Sequence, residues 1–310
     1  MSYRGRIAPS PTGLLHLGHA RTFFTAYLRA FEAGGTLVLR NEDLDPHRSR
    51  SDFAVAMLED LRWLGIRWQE GPDFGSDLSP GAGGPFAPYS QSQRRDHYLA
   101  AWRQLLAAGC LYPCVCSRRE LARIAEAPHE SAPHESGPAE PTSARFEADE
   151  TPMYPGTCRP APGTPAFSQP PLTGCDSPAG VNWRFRVPDG EAIQFHDQHF
   201  GPQRFVAGQD FGDFPVWRRD DVPAYQLAVV ADDHAMRITE VVRGADLLPS
   251  TARQLLIYRA LGWDPPQWYH CPLVLDEHGE RLAKRHDALS IRALREQGKR
   301  PEDLIGGLPC

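Results

Sequence analysis

The sequence predicts an α/β fold in which helices cover a parallel sheet, and three observations near its start support this. Residues 3–8 alternate like a strand and end in a loop that contains two prolines. Residues 17–33 carry apolar side chains at helical spacing. A buried strand at 36–40 and a second amphipathic helix at 49–64 follow. Since parallel neighbours are joined by crossovers that are usually helical, this order favours a parallel sheet.

The later elements continue the pattern after a Gly- and Pro-rich loop at 71–88. The segment 225–231 is apolar throughout and fits either a strand or the start of a helix. The other predicted elements are a helix at 91–108, a short strand near Leu111, strands at 182–187 and 238–242, and a helix at 251–261 that Gly262 ends.

One internal segment does not share this patterning. Residues 125–180 are rich in Pro, Glu, Ser, Ala and Gly, and the pentapeptide APHES at 127–131 is repeated at 132–136. Such a composition buries too little apolar surface to offset the entropy of ordering the chain. We expect a disordered insertion here, with order only around residues 154–159.

Composition bounds the class of protein. Hydrophobic residues are 41% of the 310 residues and charged residues 23%, as in globular domains. No apolar run is long enough to span a membrane, and the start lacks a signal peptide, so a cytoplasmic protein without membrane contact is expected. The net charge of −6 does not indicate nucleic-acid binding, so any such surface would need local clusters such as Arg94-Arg95 or Arg218-Arg219.

The first motif with chemical meaning joins the first strand to the first helix. His16 and His19 lie three residues apart at the start of a helix, where backbone N–H groups are unpaired, and Gly18 lets a ligand approach closely. Such a helix start binds anions, and the first βα turn is where these folds bind nucleotides. The alternative is a capping turn with incidental histidines.

A second motif, Arg281-Leu-Ala-Lys284-Arg285, lies far along the chain on a polar loop. A basic cluster of this kind is usually solvated surface. If Lys284 lies near His16 and His19, however, it supplies positive charge for phosphoryl chemistry.

Together these motifs resemble class I aminoacyl-tRNA synthetases. His16 to His19 resembles the HIGH motif, and Arg281 to Arg285 resembles KMSKS with Ala283 where Ser is usual. The surrounding sequence is similar to that of the glutamyl-tRNA synthetase branch. The similar stretches are Arg6 to Gly13, Leu39 to Asp45, Val229 to His234 and Glu240 to Asp246. The resemblance implies a Rossmann-like catalytic domain and an enzyme that uses ATP with Mg²⁺.

The resemblance also implies roles for individual residues. His16, Gly18, His19 and Lys284 would bind ATP, with His16, His19 and Lys284 catalytic. Glutamate would be bound by Arg6, Ile7, Ala8, Pro9, Ser10, Glu42, Tyr225 and Arg243. The guanidinium groups suit the side-chain carboxylate and Glu42 suits the α-ammonium group. Taken singly, Glu42 and Arg243 could instead be a structural ion pair, and Tyr225 a core residue.

The cysteines indicate a possible metal site. Seven cysteines are present, an odd number that does not favour a disulfide framework. Cys114 and Cys116 can chelate one ion, and Tyr154 and Cys158 can complete a tetrahedral site. This set is similar to the zinc site of glutamyl-queuosine tRNA(Asp) synthetases, which implies one structural Zn²⁺. Buried structural thiols are the alternative.

The predicted organisation follows. Residues 1–75 and 186–310 form the two halves of the catalytic domain, and 76–185 form an insertion that carries the zinc knuckle. Only 26 residues follow Lys284, so no anticodon-binding domain is expected, although charging synthetases of this branch carry one. This pattern resembles the glutamyl-queuosine tRNA(Asp) synthetases, which implies a monomer that activates L-glutamate without tRNA and transfers it to queuosine in tRNA(Asp). The alternatives are a minimal enzyme that charges a tRNA 3′ end and a catalytically silent tRNA-binding paralogue.

Overall fold

The computed structural model describes residues 2–72, 83–117, 153–161, 177–274 and 290–305. Several predictions lie outside these ranges. They are the basic motif from Arg281 to Arg285 with Ala283 and Lys284, the tandem pentapeptide, most of the predicted 125–180 insertion, and residues 73–82 of the predicted loop.

Seven α-helices are described, and the first five begin and end close to the positions that the sequence predicts. They are α1 (Leu17–Glu32), α2 (Ser51–Trp63), α3 (Arg95–Ala107), α4 (Tyr225–Ala235), α5 (Leu248–Leu261), α6 (Ile291–Glu296) and α7 (Pro301–Ile305). The apolar segment that fitted two structures is thus a helix, α4, which is buried on nearly every side. Gly262 ends α5 with a φ of 67°, a left-handed conformation that glycine adopts without strain.

Nine strands are described. They are β1 (Arg4–Ile7), β2 (Thr36–Leu39), β3 (Leu111–Cys114), β4 (Asn182–Phe185), β5 (Ala192–Asp197), β6 (Gly201–Val206), β7 (Phe214–Trp217), β8 (Glu240–Gly244) and β9 (Gln267–Cys271). The sequence analysis did not predict β5, β6, β7 or β9.

Parallel pairing dominates the sheet that carries the first motif. β1 pairs with β2, and β8 pairs with β9, both in parallel. The backbone N–H of Thr239 donates to the Arg4 carbonyl at 2.9 Å, which sets β1 beside β8. β5 joins β9 in parallel, while β6 returns antiparallel at the edge. The predicted α/β fold with a parallel sheet is therefore confirmed, with one antiparallel edge strand added.

A second sheet is separate and antiparallel, in the order β3-β4-β7. Its strands have four residues each, and it holds Cys114 at the end of β3. Trp102 from α3 packs edge-on against Trp183 of β4 and Trp217 of β7. These aromatic contacts tie the antiparallel sheet to the helices beside the parallel sheet, so both belong to one continuous core.

Candidate functional site

One cavity collects most of the predicted site residues. Its volume is about 560 Å³, and it opens between the loop after β1, the start of α1 and the carboxyl end of β8. Ligands of open α/β sheets bind at the carboxyl ends of parallel strands, and this cavity has that position. The predicted residues that line it are Arg6, Ala8, Pro9, Ser10, His16, Gly18, His19, Glu42, Tyr225 and Arg243.

Two imidazoles cap the start of α1. The Gly18 backbone N–H donates to Nδ1 of His16 at 3.2 Å, and the His16 backbone N–H donates to Nδ1 of His19 at 3.3 Å. Their rings stack with centroids 3.7 Å apart. A Cβ on residue 18 would lie 3.1 Å from the His16 ring, so glycine leaves room for this arrangement. The helix start thus holds both histidines in one fixed orientation.

Those hydrogen bonds decide where the imidazole protons lie. Because Nδ1 of each ring accepts a backbone N–H, the neutral ring carries its proton on Nε2. Burial lowers the pKa of His16, although Asp246 opposes the shift. Burial, together with the charge of His16, lowers the pKa of His19 to about 3. At neutral pH both rings are neutral hydrogen-bond donors that line the cavity.

This depressed pKa predicts a stability change. In the unfolded chain His19 has an ordinary pKa of 6.5, so that state binds more protons at every pH between 6.5 and about 3. The free energy of unfolding should fall as the pH is lowered through this range, with a slope from His19 that rises to about 1.4 kcal/mol per pH unit near pH 5. Urea denaturation near pH 7, 6 and 5 measures it. His19→Asn should reduce the slope by that amount, and an unchanged slope would contradict the assignment.

Glu42 belongs to a buried network of alternating charges. Arg40 is fully buried and donates to Glu42 at 2.9 Å and to Asp233 at 2.6 Å. Nε of Arg6 lies 3.5 Å from the same Asp233 carboxylate. Burial raises the pKa of Glu42, and the charges of Arg40 and Arg6 oppose that shift. A cationic ligand group beside Glu42 would stabilise its charged form further.

Arg243 differs from Arg40 in the kind of partner it has. Its guanidinium donates to Thr251 Oγ1 at 2.7 Å, to Gln254 Oε1 at 2.9 Å, to His270 Nε2 at 3.1 Å and to Tyr225 Oη at 3.4 Å. Within the described ranges, none of its hydrogen-bond partners is a carboxylate. Burial lowers the pKa of Arg243, whereas for Arg40 the acidic partners outweigh burial and raise the pKa. A buried cation on the wall of a cavity without a paired anion is arranged to receive one.

The structure also separates alternatives that the sequence left open. Glu42 pairs with Arg40, so Glu42 and Arg243 are not a structural ion pair. Tyr225 is 37% exposed at the cavity and is not a core residue. Ile7 is 1% exposed and packs in the core, so its side chain does not line the cavity. Lys284 lies outside the described residues, and its predicted position opposite the histidines stays a prediction.

Several cavity residues were not singled out from the sequence. Asp246 lines the cavity and acts electrostatically on His16. It lies three residues after Arg243 in the same motif, and that spacing was the available signal. Other lining residues, Thr12, Gly244, Leu247 and 272–274, carry no ionisable side chain that would mark them in a sequence.

The predicted metal ligands lie together at the end of the antiparallel sheet. The sulfurs of Cys114, Cys116 and Cys158 all lie within 4.8 Å of one another. Tyr154 Oη lies 3.4 Å from Cys114 Sγ and 3.8 Å from Cys116 Sγ, and the sulfurs of Cys116 and Cys158 are 3.6 Å apart. Cys110, by contrast, packs against the main core and is not part of this cluster.

These distances fit a tetrahedral ion. Bonds of about 2.3 Å to sulfur and about 2.0 Å to oxygen give edges of about 3.8 Å between sulfurs and about 3.5 Å from sulfur to oxygen. The guanidinium of Arg184 donates to Cys114 Sγ at 3.2 Å and lies 3.7 Å over the Tyr154 ring. Burial raises the pKa of Cys116 to about 11, a cost that a bound cation would offset. The donor set can therefore hold a metal ion.

Three of the arginines considered for nucleic-acid binding form ion pairs with carboxylates of this chain. Arg94 is 1% exposed and pairs with Asp232 at 2.6 Å. Arg95 pairs with Asp221, and Arg218 pairs with Asp45 at 2.7 Å and also with Asp220. These partners reduce the charge that the pairs could offer to phosphates. In the described part of the chain no helix is long and apolar enough to cross a membrane.

Comparison with known proteins identifies the same family that the sequence motifs resemble. The family profile described as "tRNA synthetases class I (E and Q), catalytic domain" matches residues 2–153 and 174–309. The chain is 47% identical to the glutamyl-Q tRNA(Asp) synthetase of Symbiobacterium thermophilum, over 98% of this chain and 84% of the relative. It is also 47% identical to the protein of the same name from Nitratidesulfovibrio vulgaris, over 98% of this chain and 85% of the relative. The resemblance drawn from the sequence motifs is confirmed.

A solved structure supports the fold independently. The crystal structure of a glutamate tRNA ligase from Elizabethkingia meningosepticum, in complex with its amino acid, superimposes with a TM-score of 0.71 at 31% identity. The match covers 96% of this chain and 54% of the ligase. The shared part is thus about half of that larger protein.

Proposed function

This chain belongs to the class I (E and Q) tRNA synthetase family, and from that premise we propose that it activates L-glutamate with ATP and transfers the glutamyl group to queuosine at the wobble position of tRNA(Asp). It is a ligase-type enzyme that transfers a glutamyl group, as its relatives named glutamyl-Q tRNA(Asp) synthetase indicate. The finer parts of the proposal are that activation needs no tRNA and that queuosine is the acceptor.

The observation that carries the proposal is the charge pattern of the cavity. Arg243 offers a buried cation with neutral partners, and Glu42 offers a buried carboxylate in the same cavity. An amino acid with an acidic side chain presents a matching carboxylate and α-ammonium group. Guanidinium recognises carboxylate through two parallel hydrogen bonds, which a neutral amide cannot reproduce. At Arg243 these two bonds would replace its longest present ones, to Tyr225 Oη at 3.4 Å and to the Leu247 carbonyl at 3.2 Å.

The imidazole pair supports the activation step. An oxygen of the glutamate α-carboxylate attacks the α-phosphorus of ATP, and the bond to the bridging oxygen breaks as pyrophosphate leaves. His16 and His19 present Nε2–H donors to the phosphate oxygens, where negative charge grows in the transition state. We assign Lys284 to the β- and γ-phosphates, and Mg²⁺ accompanies ATP. A hydroxyl of queuosine then attacks the glutamyl carbonyl, and AMP leaves.

We also propose that the cluster of Cys114, Cys116, Tyr154 and Cys158 holds one structural Zn²⁺. The sulfur and oxygen spacing supports tetrahedral coordination, and Arg184 offsets the negative charge of the ligands. The ion would tie residues 153–158 to the end of β3, and we assign it no catalytic step.

Removal of one ligand tests the zinc proposal. We expect wild-type protein to contain about one zinc per chain, and Cys158→Ser to lose the metal and about 5 to 10 °C of melting temperature. Metal analysis and thermal unfolding provide both readouts. Cys110→Ser is the matched control, because that thiol lies outside the cluster. Full zinc content in Cys158→Ser, or no zinc in the wild type, would refute the assignment.

The proposed reaction is tested with labelled glutamate, ATP and Mg²⁺, together with tRNA(Asp) that contains or lacks queuosine. Label that depends on queuosine and survives periodate oxidation of the tRNA 3′ end supports the proposal. Label that is lost on oxidation indicates charging of the 3′ end instead. No label and no glutamate-dependent pyrophosphate exchange would leave a non-catalytic tRNA-binding role.

A further inference from the structure

Hydrogen bonds link three buried side chains in series, from Asp197 through His270 to the guanidinium of Arg243. Asp197 at the end of β5 and His270 in β9 are both fully buried, and Asp197 Oδ2 lies 2.6 Å from Nδ1 of His270. On the other side of the ring, Nε of Arg243 donates to Nε2 of His270 at 3.1 Å. Neither Asp197 nor His270 lines the cavity, and Arg243 links them to it.

The two neighbours fix one tautomer of His270. Arg243 can only donate, so Nε2 must keep its lone pair, and the single ring proton lies on Nδ1 and is donated to Asp197. The other oxygen of Asp197 accepts the backbone N–H groups of His199 and Phe200 at 3.0 and 2.9 Å. Burial and the charge of Arg243 lower the pKa of His270 to about 4 despite the hydrogen bond that the ring donates to Asp197, which agrees with a neutral ring.

The hydrogen bond to His270 completes the set of hydrogen-bond partners around the Arg243 guanidinium. The Nη atoms donate to Thr251 and Gln254 on α5, to the Leu247 carbonyl and to Tyr225 Oη. Nε is held only by His270 among the described residues. A carboxylate that binds Arg243 would replace its two longest bonds, to Tyr225 at 3.4 Å and to the Leu247 carbonyl at 3.2 Å. The bonds to Thr251, Gln254 and His270 would then be the ones that orient the guanidinium, and the bond to His270 is the one at Nε.

We infer that Asp197 and His270 are positioning residues, which orient the Arg243 guanidinium for an incoming side-chain carboxylate. This inference rests on the proposed function, since it assigns the acidic side chain of glutamate to Arg243. His270 contacts no substrate in this arrangement. Its contribution is the direction of the Arg243 N–H bonds, and a misplacement of about 1 Å at such a site can cost about 100-fold in rate.

Two replacements of His270 separate positioning from folding. In His270→Asn the amide N–H can still bind Asp197 from the position of Nδ1, but nothing accepts from Arg243. In His270→Gln the amide oxygen can reach the position of Nε2 and accept from Arg243, while Asp197 loses the imidazole N–H and keeps only its backbone N–H donors. We expect His270→Asn to raise the KM for glutamate about 10- to 100-fold in pyrophosphate exchange, with the KM for ATP changed less than about threefold.

The KM values and melting temperatures of the variants distinguish a positioning role of His270 from a purely structural one. His270→Gln should recover part of the glutamate KM while it lowers the melting temperature more than His270→Asn does. His196→Asn is the matched control, since that residue precedes Asp197 and is exposed. If the KM for glutamate and the KM for ATP rise together in His270→Asn, or if only thermal stability changes, the residue is merely structural and the inference is overturned.

A second measurement needs no substrate. The ¹⁵N chemical shifts of the His270 ring near pH 7 should show a protonated Nδ1 and an unprotonated Nε2 in the wild type. In Asp197→Asn the bonds from the His199 and Phe200 backbone N–H groups to Oδ1 can persist, but the amide N–H₂ then faces Nδ1 and the backbone N–H of His270. The ring proton should therefore move to Nε2, and the Arg243 bond should break.

The outcomes of the two measurements are separable. A wild-type ring that is protonated on Nε2 overturns the inference whatever the activity. Wild-type protein with the expected tautomer but no glutamate-dependent exchange overturns the proposed function, and the assignment of glutamate to Arg243 falls with it. Normal wild-type exchange together with an unchanged glutamate KM in both His270→Asn and Asp197→Asn overturns the inference alone.

Discussion

Arg243→Gln is expected to lower kcat/KM for glutamate in pyrophosphate exchange by about 100- to 1000-fold. The change removes a buried cation that faces the cavity, and loss of one partner from a buried, hydrogen-bonded charge pair costs about 2 to 5 kcal/mol. The KM for ATP should change much less, because Arg243 lies at the carboxyl end of β8 and not at the helix start that carries the imidazoles. Exchange kinetics with glutamate and ATP varied separately measure both constants.

Discrimination between glutamate and glutamine tests more directly whether Arg243 binds the side-chain carboxylate. The wild type should reject glutamine, since an amide leaves Arg243 without an anion, and this preference should shrink in Arg243→Gln. Arg243→Lys keeps the charge but loses the planar pair of donors, so an intermediate loss is expected. Arg259→Gln is the control: Arg259 is on the exposed side of α5 and pairs with Glu191. A glutamate preference that survives in Arg243→Gln would show that another group binds the side-chain carboxylate.

The first half of the fold was predictable because each of its elements has a strong period. Residues 17–33 carry an apolar stripe, and the observed α1 differs from the prediction by one residue at its end. The strands β5, β6, β7 and β9 were not predicted. Two of them, β6 and β7, contain a proline (Pro202 and Pro215), which argues against a strand.

The site was predictable where its residues share a motif, and its details depend on strand geometry. Arg6 and Ile7 are adjacent in β1, so their side chains point to opposite faces of the sheet. Arg6 therefore lines the cavity while Ile7 packs in the core. A motif read as one continuous block cannot make that distinction.

The groups behind the site could not be predicted at all. Asp197 and His270 are 73 positions apart and lie on strands that the sequence did not predict. Neither residue type in isolation indicates a partner. Their relation to Arg243 depends on the parallel register of β8 with β9, which brings Arg243 opposite His270. Only the folded structure supplies this information.

His19→Asn should separate transition-state stabilisation from helix capping. The amide oxygen of asparagine can replace Nδ1 as acceptor for the His16 backbone N–H, so α1 should keep its first turn and the melting temperature should stay within about 3 °C. The Nε2–H donor, however, is lost. Because this donor acts where charge develops on the phosphate, kcat for pyrophosphate exchange should fall about 100- to 1000-fold, while the KM for glutamate changes less than about threefold.

His19→Gln supplies the complementary test, because its amide N–H₂ can reach the position of Nε2 and should restore part of kcat. His234→Asn is the matched control, since that imidazole is exposed and stacks on Trp263 away from the cavity. A proportional loss of stability and kcat in His19→Asn would mean that the imidazole serves only to cap the helix. A loss of kcat at constant stability, recovered in part by glutamine, can arise only from a donor at the position of Nε2, and it would tie the proton positions set by the start of α1 to the chemistry at the α-phosphorus.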